Sequence, residues 1–267
     1  MINANQEKVK AMGLRVFGSC SLKDDTIFGA GQGQKGHEGN LWHMNLEKPP
    51  ISVIIPVFNE ANHISSLLST LPDFYETIIV DDGSQDGTGD ICRSKGYKVI
   101  TLEKNSGKAR ACLTGASHAT TEWCFFLDGD GQLDPQDIFK LLPFCSSHDL
   151  ILGERSLSTI PFIRRGANFL AATTINKLFG TKFTDVQCGL RGIKRNQLLI
   201  MELTSKRYQF EVEVLIKALE AGLRIAAVPI TVSYYGGSRM PLISAMAIVN
   251  WLSGYTIRRL WQGAFSP

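Results

Sequence analysis

The chain has 267 residues, enough for one large domain with a sizeable core. Its 44% hydrophobic and 20% charged content is ordinary for a soluble globular protein, and a formal net charge of +3 is too small to argue for nucleic acid as a partner. Six scattered cysteines (Cys20, Cys92, Cys112, Cys124, Cys145 and Cys188) form no C-x-x-C pair, so reduced, packed thiols in a cytosolic compartment are expected. The first residues lack the basic-then-apolar layout of a signal peptide, and no run reaches the roughly 18 apolar residues of a membrane span.

Residues 1–49 are mixed in charge, lack sustained periodicity and contain GAGQGQKGHEGN (29–40), which marks them as a flexible extension. Gly31, Gly33 and Gly36 satisfy G-x-G-x-x-G, but neither a strand before them nor a helix pattern after them supports a dinucleotide site. From residue 51 the pattern becomes regular. ISVIIPV (51–57) reads as a strand, and NEANHISSLLSTL (59–71) spaces Ile64, Leu67, Leu68 and Leu71 along one helix face. ETIIVDDGS (76–84) is a second strand, DGTGDICRSKG (86–96) a helix closed by Gly96, and YKVITLE (97–103) a third strand. SGKARACLTGASHA (106–119) follows as a helix and EWCFFLDGD (122–130) as a fourth strand. The second half is less regular, with helices at 161–180 and 209–222 and a strand within 223–234.

Continuous apolar strands alternating with helices predict an α/β fold with a mostly parallel, doubly wound sheet over residues 50–240. Such sheets bind ligands outside the carboxyl ends of their strands. The polar pairs Asn59 and Glu60, Asp81 and Asp82, and Asp128 and Asp130 all fall at those ends. The last segment, 241–267, holds the uncharged run PLISAMAIVNWLSGYTI followed by Arg258 and Arg259. It reads as a helix that either packs on the domain or lies in a membrane interface with Trp251, Tyr255 and Trp261 at headgroup depth.

The stretch WCFFLDGDGQLDP (123–135) carries the chemistry. If the chain stays extended past Leu127, the side chains of Asp128, Asp130 and Gln132 point the same way, and Gly129 and Gly131 let a ligand approach the backbone. Two carboxylates and an amide oxygen on one side suit Mg²⁺ or Mn²⁺ together with a diphosphate. A calcium loop is excluded because Leu133 and Phe139 stand where Gly and Glu are required. A plain acidic turn competes, and Asp134 before Pro135 is explained as a helix cap. No P-loop, nucleophile elbow or histidine-rich metal motif is present.

ISVIIPVFNE, IIVDDGSQDGT, NSGKARACLTGA and FLDGDGQLDP occur in the order and spacing of the family 2 glycosyltransferases, and the resemblance spans about residues 50–232. It implies the GT-A fold and a nucleotide-sugar donor. TDVQCGLRGIKR (184–195) with QFEVEVLIKALEAGLRIAAVPI is similar to the dolichyl- and undecaprenyl-phosphate branch, which implies inverting transfer of a sugar from a UDP- or GDP-sugar to a polyprenyl phosphate. That substrate implies a cytoplasmic enzyme, peripheral at the inner face of a membrane and attached through the helices at 162–179 and 241–262.

By the family pattern, Pro56, Val57, Asn59, Glu60, Lys108, Asp128 and Gly129 bind the nucleotide-sugar and Asp82 meets the base. Asp128, Asp130 and Gln132 hold the metal, which offsets charge on the leaving diphosphate. An acceptor phosphate is already anionic, so it needs cations rather than a base. Arg191, between Gly189 and Gly192, is the first candidate, joined by Arg195 and Arg239, with Arg155, Arg164 and Arg165 behind them. Were the acceptor a hydroxyl, Glu211 would be the base, because helical spacing turns only one of Glu211 and Glu213 to the site. Where the branch often shows R-x-x-G-x-S-K, this chain reads SYYGGSR (233–239), with Ser233 in place of the arginine. The rival readings are a family 2 enzyme acting on a soluble or polysaccharide hydroxyl, a nucleotidyltransferase, and a nucleotide-sugar-binding protein without activity.

Overall fold

Alternation within the strands dictates a sheet with both faces covered. In the strand Ile51–Val57, Ile54 faces one side, while Val53, Ile55 and Val57 face the other. The computed structural model describes residues 15–17, 50–160, 162–205, 209–232, 247–248 and 250–258. The strands are β1 (Arg15–Phe17), β2 (Ile51–Val57), β3 (Glu76–Asp81), β4 (Lys98–Thr101), β5 (Trp123–Phe126), β6 (Leu150–Arg155), β7 (Arg191–Lys194) and β8 (Ile225–Ile230). The helices are α1 (Ala61–Thr70), α2 (Thr88–Ser94), α3 (Lys108–His118), α4 (Ile138–Leu141), α5 (Phe162–Phe179), α6 (Arg195–Ile200) and α7 (Phe210–Glu220).

One sheet runs β1-β8-β6-β7-β5-β2-β3-β4. The pairs β2–β3, β2–β5, β3–β4 and β6–β8 are parallel, and β7 runs antiparallel between β5 and β6. Helices α3, α5 and α7 bury Cys112, Ile175 and Phe210 against one face; α1 and α4 bury Leu67 and Leu141 against the other. The doubly wound α/β expectation therefore holds. Gly96 closes α2 at φ +84°, as its position predicts. Asp134 accepts the Gln136 N–H at 2.9 Å ahead of Pro135, which is the cap foreseen there.

Sequence reading passed over β6 and β7. β6 breaks its apolar run at Gly153 and ends in Glu154 and Arg155, and β7 has four residues followed at once by α6, so neither shows a sustained period. β7 matters for function. Arg191 at its start pairs with Phe126 at the end of β5, so the reversed strand delivers the preceding loop to the carboxyl ends of the parallel strands. In the first 49 residues, Arg15–Phe17 pairs antiparallel with β8, and the remainder lies outside the described residues. Residues 250–258 are helical, and among the described residues no helix is long and apolar enough to cross a membrane.

Candidate active site

A cavity of about 630 Å³ opens at the carboxyl ends of β2, β3 and β5. Pro56, Val57, Glu60, Asp82, Lys108, Asp128, Gly129, Asp130, Gln132 and Glu211 line it, joined by Arg155, Arg164, Gln187 and Gly189. Strand alternation is not what gathers the acids. The ladder of β5 ends at Phe126, Gly131 turns the chain at φ +71°, and Asp130 Oδ1 accepts the Gln132 N–H at 3.1 Å. A tight turn with Gly in the left-handed region thus brings residues 128, 130 and 132 to one wall.

Each acid is answered differently. Asp82 caps the start of α3, accepting the Ser106 N–H at 2.7 Å and the Gly107 N–H at 2.8 Å. Asp81 accepts the Ser84 N–H at 2.9 Å, so backbone donors offset the repulsion between these adjacent carboxylates. Asp128 and Glu211 both pair with the ammonium of Lys108. Burial disfavours charge on Lys108, yet Asp128 and then Glu211 outweigh it and hold the amine above the usual lysine range. Burial likewise acts against an ionised Asp128, but Lys108 keeps its pKa low. Asp130 has no ion-pair partner among the described residues, and burial followed by the Asp128 charge raises its pKa.

Several expected residues sit elsewhere. Arg191 is only 1% exposed and lies behind the cavity, its guanidinium donating at 2.7 Å to the carbonyls of Glu211 and Cys188. It supports the wall instead of touching a ligand, because the antiparallel course of β7 turns it into the core. Arg195 donates from Nε to the Ala116 carbonyl at 2.9 Å and so ends α3, away from the cavity. Asn59, at φ +53°, ties its loop to the next by accepting the Gln85 N–H at 2.9 Å, and does not line the cavity. Arg239 lies outside the described residues.

Besides Lys108, the cations that line the cavity among the described residues are Arg155 and Arg164. Asp185 fixes Arg155 in a two-pronged pair, 2.6 Å from Nε to Oδ2 and 3.1 Å from Nη2 to Oδ1. Arg164 donates from Nη1 to Gln132 Oε1 at 3.2 Å, while its buried Nε has no partner among the described residues. Gln187 on the loop before β7 also reaches the cavity; it lies inside the motif TDVQCGLRGIKR, where Arg191 rather than Gln187 was singled out. Glu213 turns away from the cavity and binds the Thr204 and Ser205 N–H groups at 2.7 and 2.8 Å, leaving Glu211 as the carboxylate of α7 that faces it.

The model of a family described as Glycosyl transferase family 2 matches residues 52–197. This chain belongs to glycosyl transferase family 2. Glycosyltransferase AglJ of Haloferax volcanii is 30% identical over 69% of this chain and 63% of its own length, so the chain spans less than two thirds of that relative. Dolichyl-phosphate beta-glucosyltransferase of Saccharomyces cerevisiae is 30% identical over 78% of this chain and 76% of the relative. In three dimensions the chain resembles glucosyl-3-phosphoglycerate synthase of Mycobacterium tuberculosis, crystallised with Mn²⁺ and UDP-glucose, at a TM-score of 0.63 and 19% identity over 76% of this chain and 79% of that one. The glycosyltransferase is thus similar both in sequence to a prenyl-phosphate enzyme and in fold to a GT-A enzyme.

Proposed function

We propose that this glycosyltransferase moves a sugar from a UDP- or GDP-sugar to a polyprenyl phosphate, with inversion and with a divalent metal ion. The observation that carries this reading is the meeting of Asp82, Asp128 and Asp130 with Arg155 and Arg164 on one cavity. Acids at strand ends suit a metal–diphosphate donor, and arginines suit an acceptor that is already an anion. The yeast relative, named for dolichyl phosphate, supports that acceptor. The mycobacterial structure with Mn²⁺ and UDP-glucose supports the donor and the metal.

The donor set fits a hard divalent ion. Asp130 is a crowded carboxylate with no ion-pair partner among the described residues, beside a second carboxylate and the Gln132 side chain. With two carboxylates and an amide oxygen offered by this wall, Mg²⁺ or Mn²⁺ would complete its shell with phosphate oxygens and water. Bound there, the ion would neutralise charge gathering on the leaving diphosphate. Asp130 would hold it, with Asp128 and Gln132 beside it. Pro56, Val57 and Glu60, which line the cavity, would wall the nucleotide end, with Asp82 proposed to meet the base. Arg164, with its unpartnered Nε, and Arg155, oriented by Asp185, would position the acceptor phosphate for attack.

A hydroxyl acceptor is the second reading, favoured by Glu211 on the cavity wall, although its carboxylate is engaged by Lys108. A polyprenyl acceptor places the protein at a membrane surface on its cytoplasmic side. The α5 helix that carries Arg164 also exposes Phe162 at 81% and Phe169 at 64%, which suits contact with lipid.

The test is nucleoside-diphosphate release from a panel of UDP- and GDP-sugars with Mg²⁺ or Mn²⁺, with and without a short polyprenyl phosphate. Release should need both metal and lipid phosphate and fall by at least about a hundredfold in Asp130→Ala, as for loss of a principal electrostatic group. Release that ignores the lipid would overturn the acceptor, and release without metal would overturn the metal.

A further inference from the structure

Lys108 begins α3 and bridges Asp128, just past β5, to Glu211 in the first turn of α7. All three line the cavity beside Asp130. Three carboxylates on one partly desolvated wall repel each other strongly, and an internal ammonium offsets part of that repulsion. The bridge ties three segments together: α3, the turn after β5 and α7. Asp128 is therefore not an open oxygen site waiting for an ion, because its charge is already answered from within the chain.

We propose that Lys108 is a positioning residue that serves as the resident cation of the acid cluster, holding Asp128 and Glu211 in the nucleotide-free protein and yielding Asp128 only when a divalent ion and a nucleoside diphosphate enter together. This rests on the metal-assisted reading above. Without nucleotide, an ion gains Asp130 but must compete with an ammonium for Asp128. A diphosphate changes the balance in two ways. It brings oxygen ligands for the ion, and it offers the displaced ammonium a new anion. Metal and nucleotide then favour each other's binding, and by linkage the enhancement is equal in both directions. Lys108 meets the donor phosphates in the loaded state only, having first organised the acids that receive the ion.

The experiment is Mn²⁺ titration of the full chain, followed by electron paramagnetic resonance of the free ion, with and without UDP or GDP. Wild type should bind Mn²⁺ weakly alone and at least roughly tenfold more tightly with the nucleotide, within the usual range of coupling between sites. Lys108→Met should tighten nucleotide-free binding by about tenfold and shrink the nucleotide's enhancement by the same factor, because the competing cation is gone. The charge-preserving Lys108→Arg should keep weak nucleotide-free binding. If Lys108→Met does not fold, the double variant Lys108→Met, Glu211→Gln removes one carboxylate with the ammonium and should show the same tightening. Variants that bind Mn²⁺ no more tightly than wild type, while wild type still binds it with nucleotide, overturn this inference alone. No Mn²⁺ binding to any form, with or without nucleotide, overturns the metal-assisted reading and this inference with it.

Discussion

Asp128 is held on two sides by residues far from it in sequence. Lys108 pairs with its carboxylate, and a Cβ placed on Gly189 would lie 2.1 Å from its Oδ2. Only glycine leaves room for that carboxylate, which explains a glycine in the loop before β7 without invoking a ligand. Gly189→Ala should therefore push Asp128 off Lys108 and lower transferase activity by at least about tenfold. Overpacking of this kind costs about 1–3 kcal/mol, so the melting temperature should also fall by several degrees. Gly131→Ala is the comparison: a Cβ there meets nothing within 4 Å, and the cost is strain at φ +71° alone. Steady-state kinetics and thermal melts on both variants check this, and full activity in Gly189→Ala would refute it. The same glycine shows why Arg191 misled: flanking glycines suggested a ligand-facing arginine, whereas Gly189 serves Asp128 and Arg191 goes inward.

Among the elements, β6, β7 and β8 meet at one point, Asp149. Its carboxylate takes Arg224 Nε and Nη2, each at 3.0 Å, and Lys194 Nζ at 2.9 Å. Its backbone carbonyl accepts the Lys194 N–H at 3.1 Å, and its N–H donates to the Arg224 carbonyl at 2.8 Å. The hydrogen bond from Arg224, against a smaller opposing effect of burial, depresses the Asp149 pKa below the ordinary carboxylate range. A folded-state pKa below the unfolded value, about 3.9, adds stability that is fully present above about pH 5. That stability is lost as the pH falls through the folded value. Asp149→Asn should consequently lower the melting temperature most at neutral pH, and the gap to wild type should close as the pH drops below about 4. Melts across pH 3–8 test the sign, and a gap that is constant or widens in acid would refute it. Sequence periodicity could not reveal this junction, because it joins residues 149, 194 and 224 through tertiary packing alone.

For the whole molecule, α5 carries a group of exposed apolar side chains that its packing does not use. Phe162, Phe169 and Leu170 face out from the helix whose Arg164 reaches the cavity, and Arg165 lies over the Phe162 ring at 5.8 Å. Were the acceptor the lipid phosphate proposed above, one helix would touch both bilayer and acceptor. Phe162→Ser with Phe169→Ser should at least halve co-sedimentation with anionic liposomes while leaving the melting temperature within about a degree, as exposed substitutions do. Unchanged co-sedimentation would refute it. From the linear chain alone come the alternating α/β class, the acids at strand ends and the family motifs, because each of these is written in local periodicity or in contiguous residues. Tertiary structure alone decided which arginines reach the cavity those acids line. Arg155 and Arg164 face the cavity while Arg191 and Arg195 do not, because the outcome depends on β7 running against its neighbours, and a strand's direction is set by distant partners rather than by its own four residues.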